Sequence, residues 1–307
     1  MTKDPKEILI DAIFKSDIKK IKSLLKDGSV KDLNYLDDDV SPLSFALGIP
    51  NNKKIVNFLI EKGADVDFPD KSGGTPLFNM YIAFGDMVGA RYDLDYFLSY
   101  TDLLVSHGAN INCSDSSKRT ILHWILHDAI RYFNPDVGYY FHVNCIDLLI
   151  RKGINVELKD KYGDAPLLLA IKCESEKIFD LISTQCSKVS GKEFLCAFEC
   201  GNMPRMKVLI DKGADINFRD GFGATCLMNS CYPKKFKLLK FLIKEGADIN
   251  LFNNGGYTTL DCAYDHGLLA MQDGESKKTL DIYEKILKYL EANGGKYKKY
   301  NKGILSD

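Results

Sequence analysis

The chain has 307 residues, 45% of them hydrophobic, with 41 Lys and Arg against 42 Asp and Glu for a formal net charge of −1. That apolar content excludes global disorder, and the balanced charge excludes an overall pull toward nucleic acid or an anionic membrane. The nine cysteines are odd in number and scattered through apolar patterns, as at Cys145, Cys173 and Cys262. They read as reduced, buried thiols of a cytoplasmic protein rather than a disulfide framework.

Met1 to Glu7 lacks the apolar core of a signal peptide. No run approaches the roughly 18 apolar residues of a membrane span, so no membrane partner is expected. Residues 5–33 read as a lysine-studded helix pair closed at Gly28, and Asp37-Asp38-Asp39 as the solvated tip of a hairpin. A phrase then recurs at helix ends, from Gly63 to Asp67, Gly108 to Asn112, Gly213 to Asn217 and Gly246 to Asn250, with a weaker copy from Gly153 to Glu157. It runs Gly-Ala-Asp/Asn-Val/Ile-Asn/Asp. A second phrase follows at a fixed distance, from Asp70 to Leu77, Asp160 to Leu167 and Asp220 to Leu227. Gly supplies the left-handed residue that ends a helix. Asp-x-x-Gly makes a tight turn, and Thr-Pro caps and opens the next helix.

Two phrases repeating in phase resemble the ankyrin repeat, whose consensus runs D-x-x-G-x-T-P-L-H, two helices, then G-A-D-V-N. Gly28 to Gly63 is 35 residues and Gly213 to Gly246 is 33, both on the roughly 33-residue ankyrin period. The resemblance covers essentially the whole chain. It implies an all-α ankyrin-repeat solenoid of stacked helix-turn-helix units with short projecting hairpins. Residues 1–295 then form one domain of about eight units, near 5–33, 34–67, 68–112, 113–157, 158–187, 188–217, 218–250 and 251–295. The sixth, around Glu193 to Phe198, is nearly erased. Residues 296–307 read as a basic, solvated tail. Polar ends are what a solenoid needs, so the array is expected to be complete. Poxvirus-type members carry a further C-terminal segment that this chain ends too soon to hold.

Three units are too long. Thr225 to Gly246 spans 21 residues, whereas Thr75 to Gly108 and Thr120 to Gly153 each span 33 and Thr258 to Gly294 spans 36. The extra residues fall between the two helices of each unit and are expected on one edge of the stack. The first insertion holds Phe84, Tyr92, Tyr96, Phe97 and Tyr100, and the second Tyr132, Phe133, Tyr139, Tyr140 and Phe141. Tyrosine-rich patches suit protein contact, although the same rings could anchor the loops by packing together. The third insertion, Leu268 to Lys278, is polar and reads as a flexible loop.

Candidate chemistry is sparse. His123 and His127 stand at i, i+4, a metal-ligand spacing, but lack a neighbouring Glu or a third ligand. Cys196-x3-Cys200 and Cys226-x4-Cys231 lack zinc-knuckle spacing and read as packing on inner helices. Gly73-Gly74 and Gly255-Gly256 are hairpin glycines without a Walker or dinucleotide fingerprint. No catalytic residue, metal or cofactor is expected, and the chain reads as non-enzymatic.

The family's partners lie across hairpin tips and first helices. That resemblance picks out Lys71, Ser72, Ser116, Arg119, His127, Asp128, Lys161, Tyr162, Lys172, Arg219 and Phe222 as partner-binding positions, beside Tyr92, Tyr96, Tyr139 and Tyr140 of the insertions. Tyr162 and Phe222 occupy one equivalent turn position and are expected as anchors on a shared ledge, with Arg119 and Lys161 giving charge-assisted contacts. Trp124 is expected buried beside that groove. The function expected is that of a monomeric module that binds another protein and occludes or scaffolds it. An immunity protein neutralising a toxin, and an effector acting in a host cytosol, are the alternatives. A nucleic-acid binder or an ankyrin-borne enzyme is disfavoured.

Overall fold

Prolines and glycines punctuate the chain into helix pairs. In the computed structural model, which describes residues 4–85, 94–131 and 138–300, Pro42, Pro76 and Pro166 each open a helix. A missing N–H is harmless at that position. Ser41 and Thr258 accept hydrogen bonds from first-turn amides at 3.1 Å and 3.3 Å. At the far end the glycine of each Gly-Ala phrase takes the left-handed conformation, as at Gly213 with φ 86°.

Two compact units result, residues 1–186 and 187–307. The first holds α1 (Pro5–Phe14), α2 (Ile18–Lys26), α3 (Pro42–Leu47), α4 (Lys53–Glu61), α5 (Pro76–Gly85), α6 (Leu94–Ser106), α7 (Ile121–Arg131), α8 (Gly138–Arg151), α9 (Pro166–Lys172) and α10 (Glu176–Gln185). The second holds α11 (Gly191–Glu199), α12 (Met203–Asp211), α13 (Phe236–Lys244), α14 (Thr259–Gln272) and α15 (Lys277–Ala292). Among the described residues there is no strand, only isolated bridges that pinch hairpins, such as Ser114 with Thr120 and Arg219 with Thr225. This is the all-α ankyrin-repeat solenoid architecture.

The helices bury one face each. Ile121, Leu122, Ile125 and Leu126 of α7 have no exposed surface, nor do Leu239, Leu242, Ile286 and Leu290 in the second unit. Burial of such a side chain stabilises by about 1.5–3 kcal/mol.

Successive phrases are stitched by side chains. Asn34 accepts from Asp65 N at 2.7 Å and donates to Gly63 O at 3.2 Å. Asp67 accepts from Asn110 N, and Asn112 from Asn155 N at 2.7 Å. In the second unit Asn217 accepts from Asp248 N at 2.9 Å. The closing Asn or Asp of each phrase is therefore a rung to the next, which explains why that residue type recurs.

Three expectations are corrected. Residues 94–100 and 140–141 are helical, so the first two insertions lengthen α6 to 13 residues and α8 to 14, against 9 in α4 and α12. The third, Leu268 to Lys278, is no flexible loop. Its residues extend α14 and start α15, joined by a turn at Asp273–Gly274. Cys226 and Cys231 are buried, but Met228–Ser230 makes only a 3-10 turn instead of an inner helix. Pro233 follows closely and holds Tyr232 extended at φ −119°, ψ 147°, which stops the helix from continuing.

Residues 296–300 of the tail are packed, not solvated. Lys296 N donates to Asn250 Oδ1 at 2.9 Å, the same rung made between units. Lys298, Lys299 and Tyr300 aim their backbone N–H groups at the buried Asp261. Tyr300 OH bonds to Asp265, and its ring lies 4.8 Å from that of Tyr264.

At Gly191, the first residue of α11, an added Cβ would sit 2.0 Å from the Phe218 ring and 2.5 Å from Phe218 Cβ. Gly191→Ala is expected to destabilise the second unit by about 1–2 kcal/mol through overpacking. Gly221→Ala, with nothing within 4 Å, should leave the urea midpoint almost unchanged.

Candidate functional site

The hairpins turn their first carboxylate into their own loop. Asp70 Oδ1 accepts from Ser72 N and Gly74 N at 2.7 and 2.8 Å. Asp115 Oδ1 does so from Ser117 N and Arg119 N, and Asp160 Oδ1 from Tyr162 N and Asp164 N, all between 2.8 and 2.9 Å. Neighbouring tips are also bonded, Ser116 N to Ser72 O and Lys161 N to Ser117 O, each at 2.9 Å. In the second unit Asn254 N donates to Phe222 O at 3.1 Å. Two backbone bonds thus fix three hairpins of the first unit in line.

Lys71, Ser72, Ser116, Lys161 and Tyr162 are exposed on that line. Lys71 forms an ion pair with Asp39, so the first tip partly neutralises the second. Lys161 Nζ lies 5.0 Å from the Tyr162 ring centre, and Tyr162 itself is 73% exposed. Arg119 is not the free cation expected. Its Nε and a terminal nitrogen reach Asp115 Oδ2 at 2.9 and 2.8 Å, and its guanidinium stacks 4.2 Å above Trp124. Trp124 is half-buried and donates its Nε1–H to the same oxygen at 3.2 Å. Burial would raise the Asp115 carboxyl, but the bonds from Arg119 and Ser117 outweigh it and hold it below its usual value.

On the first helices of the units, His127 and Lys172 are exposed, whereas Asp128 accepts from Tyr81 OH at 2.8 Å. His123 is fully buried. Its Nδ1 accepts from Thr120 N at 3.1 Å and its Nε2 faces Asp164 O at 3.1 Å, so both ring nitrogens are committed to the fold. Burial pushes the His123 imidazole below its ordinary pKa, and does the same at His127 with help from Arg119.

The aromatic insertions divide. Tyr96 is buried, bonded to Leu47 O and tilted against Tyr100 at 4.2 Å, so it is a packing residue and not a docking one. Phe97 meets Tyr81 and Phe141 edge-on at 6.0 Å. Tyr140 is 66% exposed. Tyr92 lies outside the described residues, as do Tyr132 and Phe133 and the side chains of Phe84 and Tyr139.

Tyr162 belongs to the first compact unit and Phe222 to the second. Phe222 is 82% exposed at its turn, and nearby Arg219 and Lys298 hold their charges 5.7 and 3.3 Å from the Phe252 ring. Phe252 belongs to no motif and is marked in the sequence only by its place just before a turn phrase. The second unit also holds a groove of about 880 Å³. Tyr232, Leu269, Ala270, Ile282 and Tyr283 line it, and Tyr232 stacks on His266 at 4.2 Å. It opens where the long α14 and α15 outrun the short stretch before them, a relation of lengths that no local motif announces.

The thiols offer no nucleophile in the core. Burial pushes Cys226 up to about 12 and Cys145 and Cys231 well above the ordinary value. Among the described residues no three His, Cys, Asp or Glu side chains gather to hold a metal. None of their helices is long and apolar enough to cross a membrane.

Comparison with known proteins agrees with the internal repeat. A family described as ankyrin repeats (3 copies) matches residues 194–280. Two Variola virus sequences of the ankyrin repeat protein OPG189 are each 30% identical over 142 residues, covering 44% of this chain and 24% of theirs. The chain thus spans about a quarter of the length of these curated relatives. The ankyrin repeat domain of Bcl-3, described as a unique member of the IkappaB protein family, matches with a TM-score of 0.58 at 20% identity, over 81% of this chain and 100% of that one. Repeat phrases, helix pairs and relatives converge: this chain carries ankyrin repeats.

Proposed function

We propose that the chain is a non-enzymatic, cytoplasmic, monomeric module that grips another protein and occludes or scaffolds it. Ankyrin repeats are generally protein–protein interaction modules. The observation that carries the reading here is the bonded line of hairpins with Tyr162 exposed at its end. A rigid aromatic on a pre-organised ledge is a low-entropy anchor for a partner surface. Ser72, Ser116 and Lys161 lie on the same line, His127 and Lys172 on the adjoining helices, and Arg219 and Phe222 on the equivalent hairpin of the second unit. The Variola virus relatives favour a partner in a host cell over a cognate toxin.

The test is affinity capture from the native host with the intact chain and with Tyr162→Ala. Truncating an anchor of this kind weakens binding by about 2 kcal/mol, or roughly thirtyfold. One stoichiometric protein should be retained by the parent and lost by the variant, with unchanged circular dichroism. Equal capture by both would reject the ledge and turn attention to Tyr140 and the groove beside Tyr232.

A further inference from the structure

Two hairpins lack the turn glycine. It is Gly73, Gly163, Gly223 or Gly256 elsewhere, with φ from 74° to 84°, but in the first hairpin Asp39 stands there at φ 68°, ion-paired with Lys71, and in the third Lys118 stands there at φ 59°. Lysine is strained in this left-handed region, where glycine is at ease. The lysine adds nothing to the turn. Its backbone N–H closes on Asp115 O at 2.8 Å, as that of Gly163 closes on Asp160 O at 3.0 Å, and its side chain is exposed. Strain retained at an exposed tip points to a contact with something outside the chain.

The surroundings indicate the charge of that partner. Asp115 and Asp160 are buried and turned into their own loops, and Arg119 is answered by Asp115. Lys118 and Lys161 are the exposed charges at the tips of the third and fourth hairpins, with Tyr162 beside them and the half-buried Asp164 at the end of the fourth. The bond from Lys161 N to Ser117 O fixes the two tips together.

We propose that the third and fourth hairpins take an acidic segment of the partner protein, with Lys118 held in its strained turn to meet a carboxylate. The proposal rests on the hairpin-ledge reading and adds the partner's charge. Two lysines are too few for the multiple phosphate contacts on which nucleic-acid affinity rests, which favours a protein segment.

The intact chain is used to select from a phage-displayed random peptide library, and the enriched peptides are titrated by the fluorescence of Trp124, the single tryptophan, which lies under Arg119. Peptides rich in Asp and Glu are expected, weakening as salt is added. Lys118→Gly should bind them about tenfold more weakly and yet raise the melting temperature, a pairing that a merely structural lysine would not give. Neutral or basic peptides, no enrichment, or unchanged binding by Lys118→Gly would each overturn the proposal. So would displacement by poly-uridylate as readily as by poly-L-glutamate, since the site would then be one for nucleic acid. A partner captured through Tyr162 with no acidic preference would sink the charge assignment and leave the ledge standing. Capture indifferent to Tyr162→Ala would sink the ledge itself.

Discussion

Asp261→Ala is expected to destabilise residues 187–307 by about 3–5 kcal/mol, the range for uncovering a buried, multiply bonded carboxylate's partners. Asp261 has no exposed surface. Its Oδ2 accepts from Thr258 N at 3.0 Å, Thr258 Oγ1 at 2.9 Å and Lys298 N at 3.0 Å, while Oδ1 takes Lys299 N at 3.1 Å and Tyr300 N at 3.3 Å. Alanine leaves the cap of α14 and three tail amides without an acceptor at once. Asp261→Asn keeps the volume but points an NH2 group at donors, and should cost about half as much. Urea unfolding gives the loss, and amide exchange at Lys298, Lys299 and Tyr300 should accelerate in both variants. An unchanged midpoint for Asp261→Ala would mean that the tail contributes nothing to stability.

His123→Ala should cost about 2–3 kcal/mol, because it opens a cavity and orphans both Thr120 N–H and Asp164 O. The same residue makes stability depend on pH. Its folded pKa lies below the ordinary 6.5, so the unfolded chain binds the proton more readily. Its contribution is fully present above about pH 6.5 and is lost as pH falls from there through the folded pKa. His123→Asn can still accept from Thr120 but has no proton to gain. Melting curves between pH 7.5 and 5.5 should therefore fall less steeply for His123→Asn than for the parent. Parallel slopes would remove His123 from the acid response.

Much of this was legible because turn and cap chemistry is local. Asp70, Asp160 and Asp220 announce their hairpins from the next three residues alone, and Gly213 announces a helix end in the same way. The histidine of the turn phrase was legible as a structural residue through its place beside Thr120. Tyr96 was not legible as core, because helical periodicity describes a face without saying whether another helix covers it. The lysine-rich composition of the tail concealed a segment held by its backbone amides, which every residue type except proline possesses. Lys118 was visible in the sequence as a departure from Asp-x-x-Gly. Only its positive φ gives that departure a physical meaning.

The asparagine rung has an evolutionary consequence. Asn250 offers its carboxamide to Lys296 N and Gly294 O in the way Asn34 offers its own to Asp65 N and Gly63 O. A duplicated segment spliced in after Asn250 would find this connector waiting and, if it also ended in Asn, would present the same one onward. Recombination could then change the length of such a gene while the strap of residues 296–300 is reused as it stands.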